Sequence, residues 1–366
     1  MRLTCAKEDL AGVLSAVGRA TSTKSTVPVL GNILVEAKEG TVIVAATDME
    51  LSLRAPLIAT IEEPGSVVLP RLASDIVRSM SPGPVVIEHR PGEGIVSLSS
   101  GASSFTLNCH QASEFPELPP DVGEGIVLPA AAILAATERV TKAASRDDTR
   151  PVLTGVLVRL ESDSLTMVAT DSYRLAVRRG QIDNGPSEPV EALIPARALA
   201  EAQRVLALAG ADEVELVLTE TQATLRAGDV RLTTRLIDGQ FPDYRQLIPE
   251  HFEHDLALNR AELLGVLTRI GVLAQRNTPV RMAFKDGELT VSAVSDQLGE
   301  GRESLPVAFS GEPLEIGFNV EFLRAGVDSI EGETVRLGII SPLRPGLLRG
   351  ESDDFRYLLM PIRLSG

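Results

Sequence analysis

The chain has 366 residues, of which 44% are hydrophobic and 3% aromatic, and its formal net charge is −15 at pH 7. This length suits two or three domains, and the negative charge taken alone argues against nucleic acid as a partner. Two cysteines, Cys5 and Cys109, cannot form a disulfide framework, which favours a reducing, cytoplasmic location. The stretch MRLTCAKEDL lacks a long apolar region, and no run of about 18 apolar residues follows, so we expect a protein that is neither secreted nor membrane-spanning.

The first predicted element is a helix with Leu10, Val13, Leu14 and Val17 on one face, at the spacing i, i+3, i+4 and i+7. A related pattern returns twice, in Ile133, Leu134 and Val140 and again in Leu263, Leu264, Leu267 and Ile270. The sequence therefore predicts three similar helices at widely spaced positions.

A second helix is predicted after Pro70, with Leu72, Ile76 and Met80 facing inward, and Pro195 precedes its counterpart. Runs typical of β-strands lie between and after the helices, among them TVIVAAT, LTMVAT, VVIEHR, IVSLSS, EVELVL, ATLRAG and VRLGII. Many alternate between apolar and polar residues, which indicates sheets with one buried face. The expected fold is α+β, with two helices packed on antiparallel sheet in each domain.

Four landmarks recur in the same order three times. They are Pro28, Pro151 and Pro279; Asp48, Asp171 and Asp296; Pro70, Pro195 and Asn319; and Pro116, Pro242 and Pro361. The three aspartates are 123 and 125 residues apart, and the first two follow threonine in AATDMELSL and VATDSYRLA. Such a period is too long for a solenoid and predicts three similar domains, which we place at residues 1–123, 124–250 and 251–366.

The predicted helical segments carry more positive charge than the rest of the chain. Together they sum to +6, which leaves −21 elsewhere. Positive helices on an acidic body suit a surface that encloses DNA, because phosphates attract the helices and the exterior repels stray duplex. Alternatively, Lys and Arg are simply favoured in helices.

The stretches VPVLGNILV, TDMELSL, ATDSYRLA, FPDYR and YLLMPIRL resemble the bacterial DNA polymerase III β subunit, the replicative sliding clamp, along the whole chain. The resemblance implies three similar DNA-clamp domains per subunit and a head-to-tail homodimeric ring that encircles double-stranded DNA. The implied function is that of a non-catalytic DNA polymerase processivity factor without cofactor or metal. Its implied partners are the replicative DNA polymerase α subunit, the clamp loader, translesion polymerases and mismatch repair proteins.

The resemblance also implies roles for individual residues. The DNA-facing residues would be Lys24, Arg71, Arg146, Arg150, Arg197 and Arg276, and the dimer interface would join Phe105 and Leu107 to Val272 and Leu273, with Glu300 and Glu303 offering charge. Partner peptides would bind a hydrophobic pocket formed by Leu153, Thr170, Ser172, Tyr173, Arg174, Leu175, Pro242, Gln246, Leu247, Leu358, Leu359, Met360, Pro361, Ile362, Arg363 and Leu364, with Arg344 and Gly346 at its edge. Many members of the family have Gly-His where this chain has Ser172-Tyr173, which predicts a narrower pocket mouth. The chain also ends two residues, Ser365 and Gly366, past the family's usual end.

Enzyme motifs are missing from the sequence: it has no phosphate loop and no GxGxxG, HExxH, CxxC or GxSxG pattern. His251, Glu253 and His254 lie in a linker-like stretch without further metal ligands. The recurring aspartates lie in separate units, where turn stabilisation explains them better than acid–base chemistry. Two alternatives to the replicative clamp remain, a clamp-like paralogue with a role in repair or inhibitor resistance, and a hydrolase or transferase built from triplicated domains.

Overall fold

The structure is a computed structural model that describes residues 1–22, 25–38, 40–90, 92–274, 278–295 and 297–364. Antiparallel strands dominate it. The first nine are β1 (Arg2–Ala6), β2 (Asn32–Lys38), β3 (Thr41–Thr47), β4 (Leu51–Pro56), β5 (Ala59–Glu63), β6 (Gly65–Pro70), β7 (Pro84–His89), β8 (Ile95–Ser100) and β9 (Ser103–Asn108). The next eight are β10 (Ile126–Pro129), β11 (Gly155–Leu160), β12 (Ser164–Thr170), β13 (Arg174–Gln181), β14 (Val190–Pro195), β15 (Glu213–Leu218), β16 (Gln222–Ala227) and β17 (Val230–Arg235). The last eight are β18 (His254–Asn259), β19 (Val280–Lys285), β20 (Glu288–Ser295), β21 (Gly299–Pro306), β22 (Leu314–Phe318), β23 (Thr334–Ile339), β24 (Gly346–Arg349) and β25 (Phe355–Leu359).

The helices keep the same positions in each third of the chain. They are α1 (Lys7–Val17), α2 (Leu72–Ser79), α3 (Ala130–Val140), α4 (Ala196–Ala200), α5 (Ala202–Ala209), α6 (Arg260–Gly271) and α7 (Val320–Asp328). Asn259 and Asn319 cap α6 and α7, since each side chain accepts a hydrogen bond from the backbone N–H three residues on. The second helix of the middle third is divided into α4 and α5 around Glu201. The predicted pair of helices per repeat is otherwise confirmed.

The strand order shows the repetition most directly. One eight-stranded sheet has the order β10-β15-β16-β17-β4-β3-β2-β6, and the other, read from its far end, has the order β18-β23-β24-β25-β13-β12-β11-β14. Each strand of the first sheet has its counterpart, one sequence repeat later, at the same position of the second sheet. A five-stranded sheet, β5-β1-β7-β8-β9, and a four-stranded sheet, β21-β20-β19-β22, complete the fold. The predicted triplication is therefore confirmed in the topology.

The buried helix faces follow the predicted patterns with one exception. Leu10, Val13, Leu14 and Val17 of α1 are all buried, as the spacing predicts. In α2 the prediction is confirmed for Met80, which is buried, and is wrong for Leu72, which is 57% exposed. Ile76 is half-buried, and the helix also buries Ala73 and Val77. The eight-residue helix is too short for its apolar residues to define a face unambiguously.

The chain groups into two compact units. The first comprises Met1–Leu134, Asn184–Pro186 and Arg197–Leu236, and the second comprises Ala135–Asp183, Ser187–Ala196 and Ile237–Gly366. Each unit contains one eight-stranded sheet and one smaller sheet. The middle predicted domain gives β10 and β15–β17 to the first unit and β11–β14 to the second, so sheets are shared across the sequence repeats. In the described part of the chain, no helix combines the length and the apolar character needed to cross a membrane.

Candidate functional site

A tight turn at residues 170–174 positions the predicted pocket residues. The Oδ1 atom of Asp171 accepts hydrogen bonds from the backbone N–H groups of Tyr173 (2.9 Å) and Arg174 (3.0 Å). The Thr170 hydroxyl donates to the Arg174 carbonyl at 2.6 Å and accepts from the Ser172 N–H at 3.2 Å. These bonds hold Ser172 at a φ of 78°, in the left-handed region.

The same turn occurs in the first repeat. Thr47 and Asp48 make the four equivalent hydrogen bonds to residues 49–51, and Met49 has a φ of 76°. The interpretation of these aspartates as turn-stabilising residues is confirmed for Asp48 and Asp171. Asp296, the third of the series, lies outside the described residues.

The remaining oxygen of Asp171 fixes the side chain of Arg174. Its Oδ2 atom accepts a hydrogen bond from the Arg174 Nε at 2.9 Å, and the guanidinium lies 4.1 Å from the centre of the Phe322 ring. Arg174 Nη1 also approaches the Tyr357 hydroxyl at 3.4 Å. Burial raises the pKa of Tyr357 to about 12, so this hydroxyl stays protonated at neutral pH and donates to the Phe322 carbonyl. These contacts therefore hold the Arg174 side chain in one orientation.

An apolar floor lies beside this turn. Leu175 on β13 and Leu358 on β25 are opposite each other in register, and both belong to a buried cluster with Val168, Tyr244 and Leu347. Because side chains alternate along a strand, these residues share the sheet face that the segment 241–252 covers. The floor is thus built from strands of two sequence repeats.

Three exposed apolar side chains belong to the segments next to this floor. Tyr173 is 62% exposed, Leu247 is 51% exposed and Met360 is 43% exposed. The Met360 N–H donates to the Tyr173 carbonyl at 2.8 Å, which joins the C-terminal segment to the turn. Exposed apolar groups above an apolar floor are typical of a binding site for apolar side chains.

Several predicted pocket residues have mainly structural contacts. Leu359 is 1% exposed and pairs with Gly346, whose Cα faces the Phe318 ring. This is the sheet face opposite to the one that carries Leu175 and Leu358. Ile362 forms a bridge with Gly317, against which Leu364 also packs. Leu153 is buried, the Gln246 amide donates to Asp243, and Pro242, Arg344, Pro361 and Arg363 lie near or at the surface.

The structure adds residues that the sequence reasoning did not select. Phe322 contacts Arg174 through its ring, and Tyr244 belongs to the buried cluster that contains Leu175 and Leu358. Leu343 is 71% exposed in the loop that leads into β24, the strand next to β25. The sequence signal for Leu343 was its position in PLRPG, an apolar residue within a polar, proline-rich turn.

The equivalent place in the first unit has a different chemistry. Where the second unit has Leu175, the first has Ser52, which pairs in register with Thr233 on β17. The Ser52 hydroxyl lies 2.8 Å from Thr47 Oγ1, and Thr233 lies 3.0 Å from Thr224 through their hydroxyls. Hydroxyl groups that already bond one another do not offer an apolar floor, so this apolar floor is a feature of the second unit.

The arginines predicted to face DNA have diverse surroundings. Arg71 and Arg146 are exposed, and neither has a carboxylate partner in the described part of the chain. Arg197 donates to Asp48 and to the Arg19 carbonyl, while Arg150 donates to the Ser172 hydroxyl at the pocket mouth. Lys24 and Arg276 lie outside the described residues. The assignment of these residues to DNA stays a prediction.

The residues predicted at the dimer interface lie at two free sheet edges. Phe105 and Leu107 are on β9, the edge of the five-stranded sheet, and Glu300 and Glu303 are on β21, the edge of the four-stranded sheet. Val272 is 76% exposed just past α6. Glu303 accepts two hydrogen bonds from Arg269 of its own chain, so Glu300 is the freer of the two carboxylates.

Comparison with known proteins agrees with this architecture. Residues 1–119, 127–243 and 245–363 match the N-terminal, central and C-terminal domains of the DNA polymerase III beta subunit. The beta sliding clamp of Synechococcus elongatus is 34% identical over 376 residues, covering 100% of both chains.

Solved structures give the same result. The beta subunit of Thermotoga maritima DNA polymerase III superposes with a TM-score of 0.91 at 27% identity, and the Bartonella birtlesii sliding clamp bound to griselimycin with a TM-score of 0.90 at 29%, both over 100% of each chain. The fold and site thus define a clamp of triplicated α+β domains. The chain belongs to the DNA polymerase III beta subunit family, the beta sliding clamps, which are processivity factors of bacterial DNA replication.

Proposed function

We propose that two copies of this chain close head to tail into a ring that slides on duplex DNA in the cytoplasm, and that the pocket around Leu175 tethers polymerases and other partners. The chain itself carries out no catalysis. The observation that best supports the ring is the pair of incomplete sheets, since each lacks the strands that the other contains.

The repeat explains how the two incomplete sheets fit. In both eight-stranded sheets, a strand that corresponds to β9 pairs antiparallel with a strand that corresponds to β21: β17 with β4, and β25 with β13. Joining β9 of one copy to β21 of another gives the order β5-β1-β7-β8-β9-β21-β20-β19-β22, which is the same eight-strand pattern with β5 as an additional edge strand. Two such junctions close the assembly and leave neither β9 nor β21 as a free edge.

The register of this junction follows from the same correspondence. Phe105 pairs with Leu98 as Tyr357 pairs with Leu348. Tyr357 lies opposite Ala176, whose other neighbour is the buried Ala169. By burial, Ala169 corresponds to Ala293 on β20, because the next residue, Val294, is exposed, and Ala293 pairs with Gly301 on β21. We therefore place Phe105 opposite Gly301, where a Cβ atom would come within 2.8 Å of Leu273. A large ring above a glycine and beside Leu273 fits the predicted contact between Phe105 and the end of α6.

Cysteine cross-linking tests this register. The proposal places Thr106 directly opposite Glu300, and paired residues of antiparallel strands have Cα separations of roughly 4.5–5.5 Å, within disulfide range. In a Cys109→Ser background, Thr106→Cys with Glu300→Cys should oxidise to a reducible species at twice the 39.0 kDa chain mass. The control pairs Thr106→Cys with Glu303→Cys, three residues out of register. Equal cross-linking of both pairs, or none in either, contradicts the proposed junction.

DNA would be held by enclosure, with little affinity and no sequence reading. Phosphate contacts from Arg or Lys carry no base information, so the ring can slide. A cavity of about 510 Å³ between α1 and α2 is lined by Arg19, Arg71 and Arg78 and supports a phosphate-facing surface there. Loaded clamp should remain on circular duplex and leave linear duplex through the ends. Replacing Arg71 and Arg146 by Glu should impair processive synthesis without dissociating the dimer, and unchanged processivity would contradict this placement.

The pocket would receive short peptides of the general form Gln-Leu-x-Leu-Phe. Burial of two such apolar side chains contributes about 3–6 kcal/mol before ordering costs. This alone corresponds to a Kd between roughly 40 μM and 6 mM, so micromolar affinity requires the remaining contacts of the peptide as well. Truncation after Leu359 removes Met360 and should abolish binding while the dimer persists. We also propose that griselimycin, present in the Bartonella birtlesii clamp structure, competes with the peptide here. Fluorescence polarisation with a labelled peptide measures both effects. Full binding by the truncated chain would contradict the proposed position of the pocket.

A specialised paralogue with a repair or inhibitor-resistance role shares this fold and pocket. Deletion of the gene and complementation distinguishes it from the replicative clamp, because loss of the replicative clamp stops growth.

A further inference from the structure

A second cavity lies beside the pocket on the same sheet face. It has a volume of about 840 Å³, an apolar floor that includes Val177 and Leu347, and a wall formed by Tyr244, Ile248 and Phe252. Val177 is two residues along β13 from Leu175, and Leu347 is paired with Leu358. Tyr244 and Leu347 line the cavity and also belong to the buried cluster of the pocket floor. The two sites are therefore neighbours under one covering segment, residues 241–252.

Four carboxylates, those of Glu161, Glu250, Asp353 and Asp354, and five arginines line this cavity. The five are Arg159, Arg179, Arg245, Arg349 and Arg356. Three of them are engaged by carboxylates: Arg159 by Glu161 and Glu191, Arg349 by Asp255, and Arg356 by Asp353.

Two arginines are available to a ligand, and a third has spare capacity. Arg245 is exposed above the Tyr244 ring and has no carboxylate partner in the described ranges, while Arg179 reaches Glu161 only at 4.0 Å. The Nε atom of Arg349 is buried and, within the described residues, lacks a hydrogen-bond acceptor. The cavity thus offers unpaired donors above an apolar floor.

We propose that this arginine-lined cavity binds the continuation of the docking peptide, and that it selects acidic residues flanking an apolar side chain. The inference rests on the proposed function of the neighbouring pocket. The four residue steps from Leu175 to Arg179 along β13 span about 13 Å, so a peptide anchored in the pocket reaches the arginines with about four further residues. Carboxylates on such a segment complement Arg245 and Arg179, and the apolar side chain fits the floor between Val177 and Leu347.

The test uses the full-length clamp and three labelled peptides: the core Gln-Leu-x-Leu-Phe, the core with a six-residue extension in which Glu residues flank a Leu, and the same extension with Lys. Each extension is placed at either end of the core in separate peptides. The Glu extension at one end should bind at least five-fold tighter than the core, and added salt should reduce this gain. The Lys extension should give no gain.

Charge reversal locates the effect. Arg245→Glu should abolish the gain from Glu and transfer it to the Lys extension, with core affinity unchanged within about two-fold. Arg235→Glu is the matched control, since it changes the net charge equally at an exposed arginine of the first unit. Equal affinity of core and extended peptides, or equal effects of the two variants, overturns the inference. Failure of the core itself to bind contradicts the proposed function instead, and this inference with it.

Discussion

Replacement of Ser172 by glycine should stabilise the protein, because the turn holds this residue at a φ of 78°. Side chains with a Cβ atom lose roughly 1–2 kcal/mol in the left-handed conformation, whereas glycine adopts it freely. Comparing Ser172→Gly with Ser172→Ala removes the contribution of the hydroxyl, which accepts a hydrogen bond from Arg150. After the greater chain entropy of unfolded glycine is subtracted, Gly should exceed Ala by about 0.5–1 kcal/mol.

The first repeat supplies a matched experiment at Met49, whose φ of 76° belongs to the same hydrogen-bonded turn. Met49→Gly should exceed Met49→Ala by the same amount as at Ser172. The assay is urea denaturation at one protein concentration, because dimerisation makes stability concentration-dependent. A glycine variant less stable than its alanine counterpart at either site would refute the backbone argument. A large difference between the two sites would show that the turns are not energetically equivalent.

Three further predictions follow from the site. Asp171→Asn keeps an acceptor for both turn N–H groups but loses the Arg174 ion pair, so it should lower the free energy of unfolding by about 1 kcal/mol in urea denaturation. Asp171→Ala should lower it by at least 1 kcal/mol more. Equal losses in the two variants would contradict the role of the turn bonds. Tyr173→His should change peptide affinity or selectivity in fluorescence polarisation while the unfolding midpoint stays constant, and identical binding of every peptide would show that this exposed ring does not shape the mouth. Burial raises the pKa of Tyr357 from 10 to about 12, so the folded state keeps the proton to higher pH than the unfolded state. The free energy of unfolding should therefore fall by up to about 2–3 kcal/mol as pH rises from 10 to 12. Tyr357→Phe should flatten this part of the pH profile, and an unchanged slope would exclude Tyr357 as its source.

Sequence periodicity predicted the triplication and the α+β class because both depend on local patterns repeated at long spacing. The proline and aspartate landmarks mark turns and helix starts, which each repeat needs at the same place. The exposure of Leu72 in α2 was not predicted, because this helix packs through Ala73 and Val77. Alanine occurs on buried and exposed helix faces alike, so the sequence does not mark this face as the buried one.

The pocket was predicted mainly through the family resemblance. The structure shows that the predicted residues lie on two different faces of the sheet. Leu358 and Leu359 look equivalent in the sequence, yet they lie on opposite faces of β25, so the first contributes to the floor and the second to the core. Tyr244 and Phe322 were missed because their contacts with the site come from distant segments of the chain. Such contacts have no local sequence pattern.

One turn used twice shows how repeated domains acquire different roles. In both units a Thr-Asp pair fixes the backbone with one carboxylate oxygen and leaves the other free for an arginine. In the first unit that arginine is Arg197, and the adjoining strand positions carry Ser52 and Thr233, whose hydroxyls bond their neighbours. In the second unit the arginine is Arg174, and the same positions carry Leu175 and Leu358, which need an apolar partner. The scaffold is therefore kept by the aspartate, while the two strand positions beside it decide whether the adjoining surface is polar or apolar.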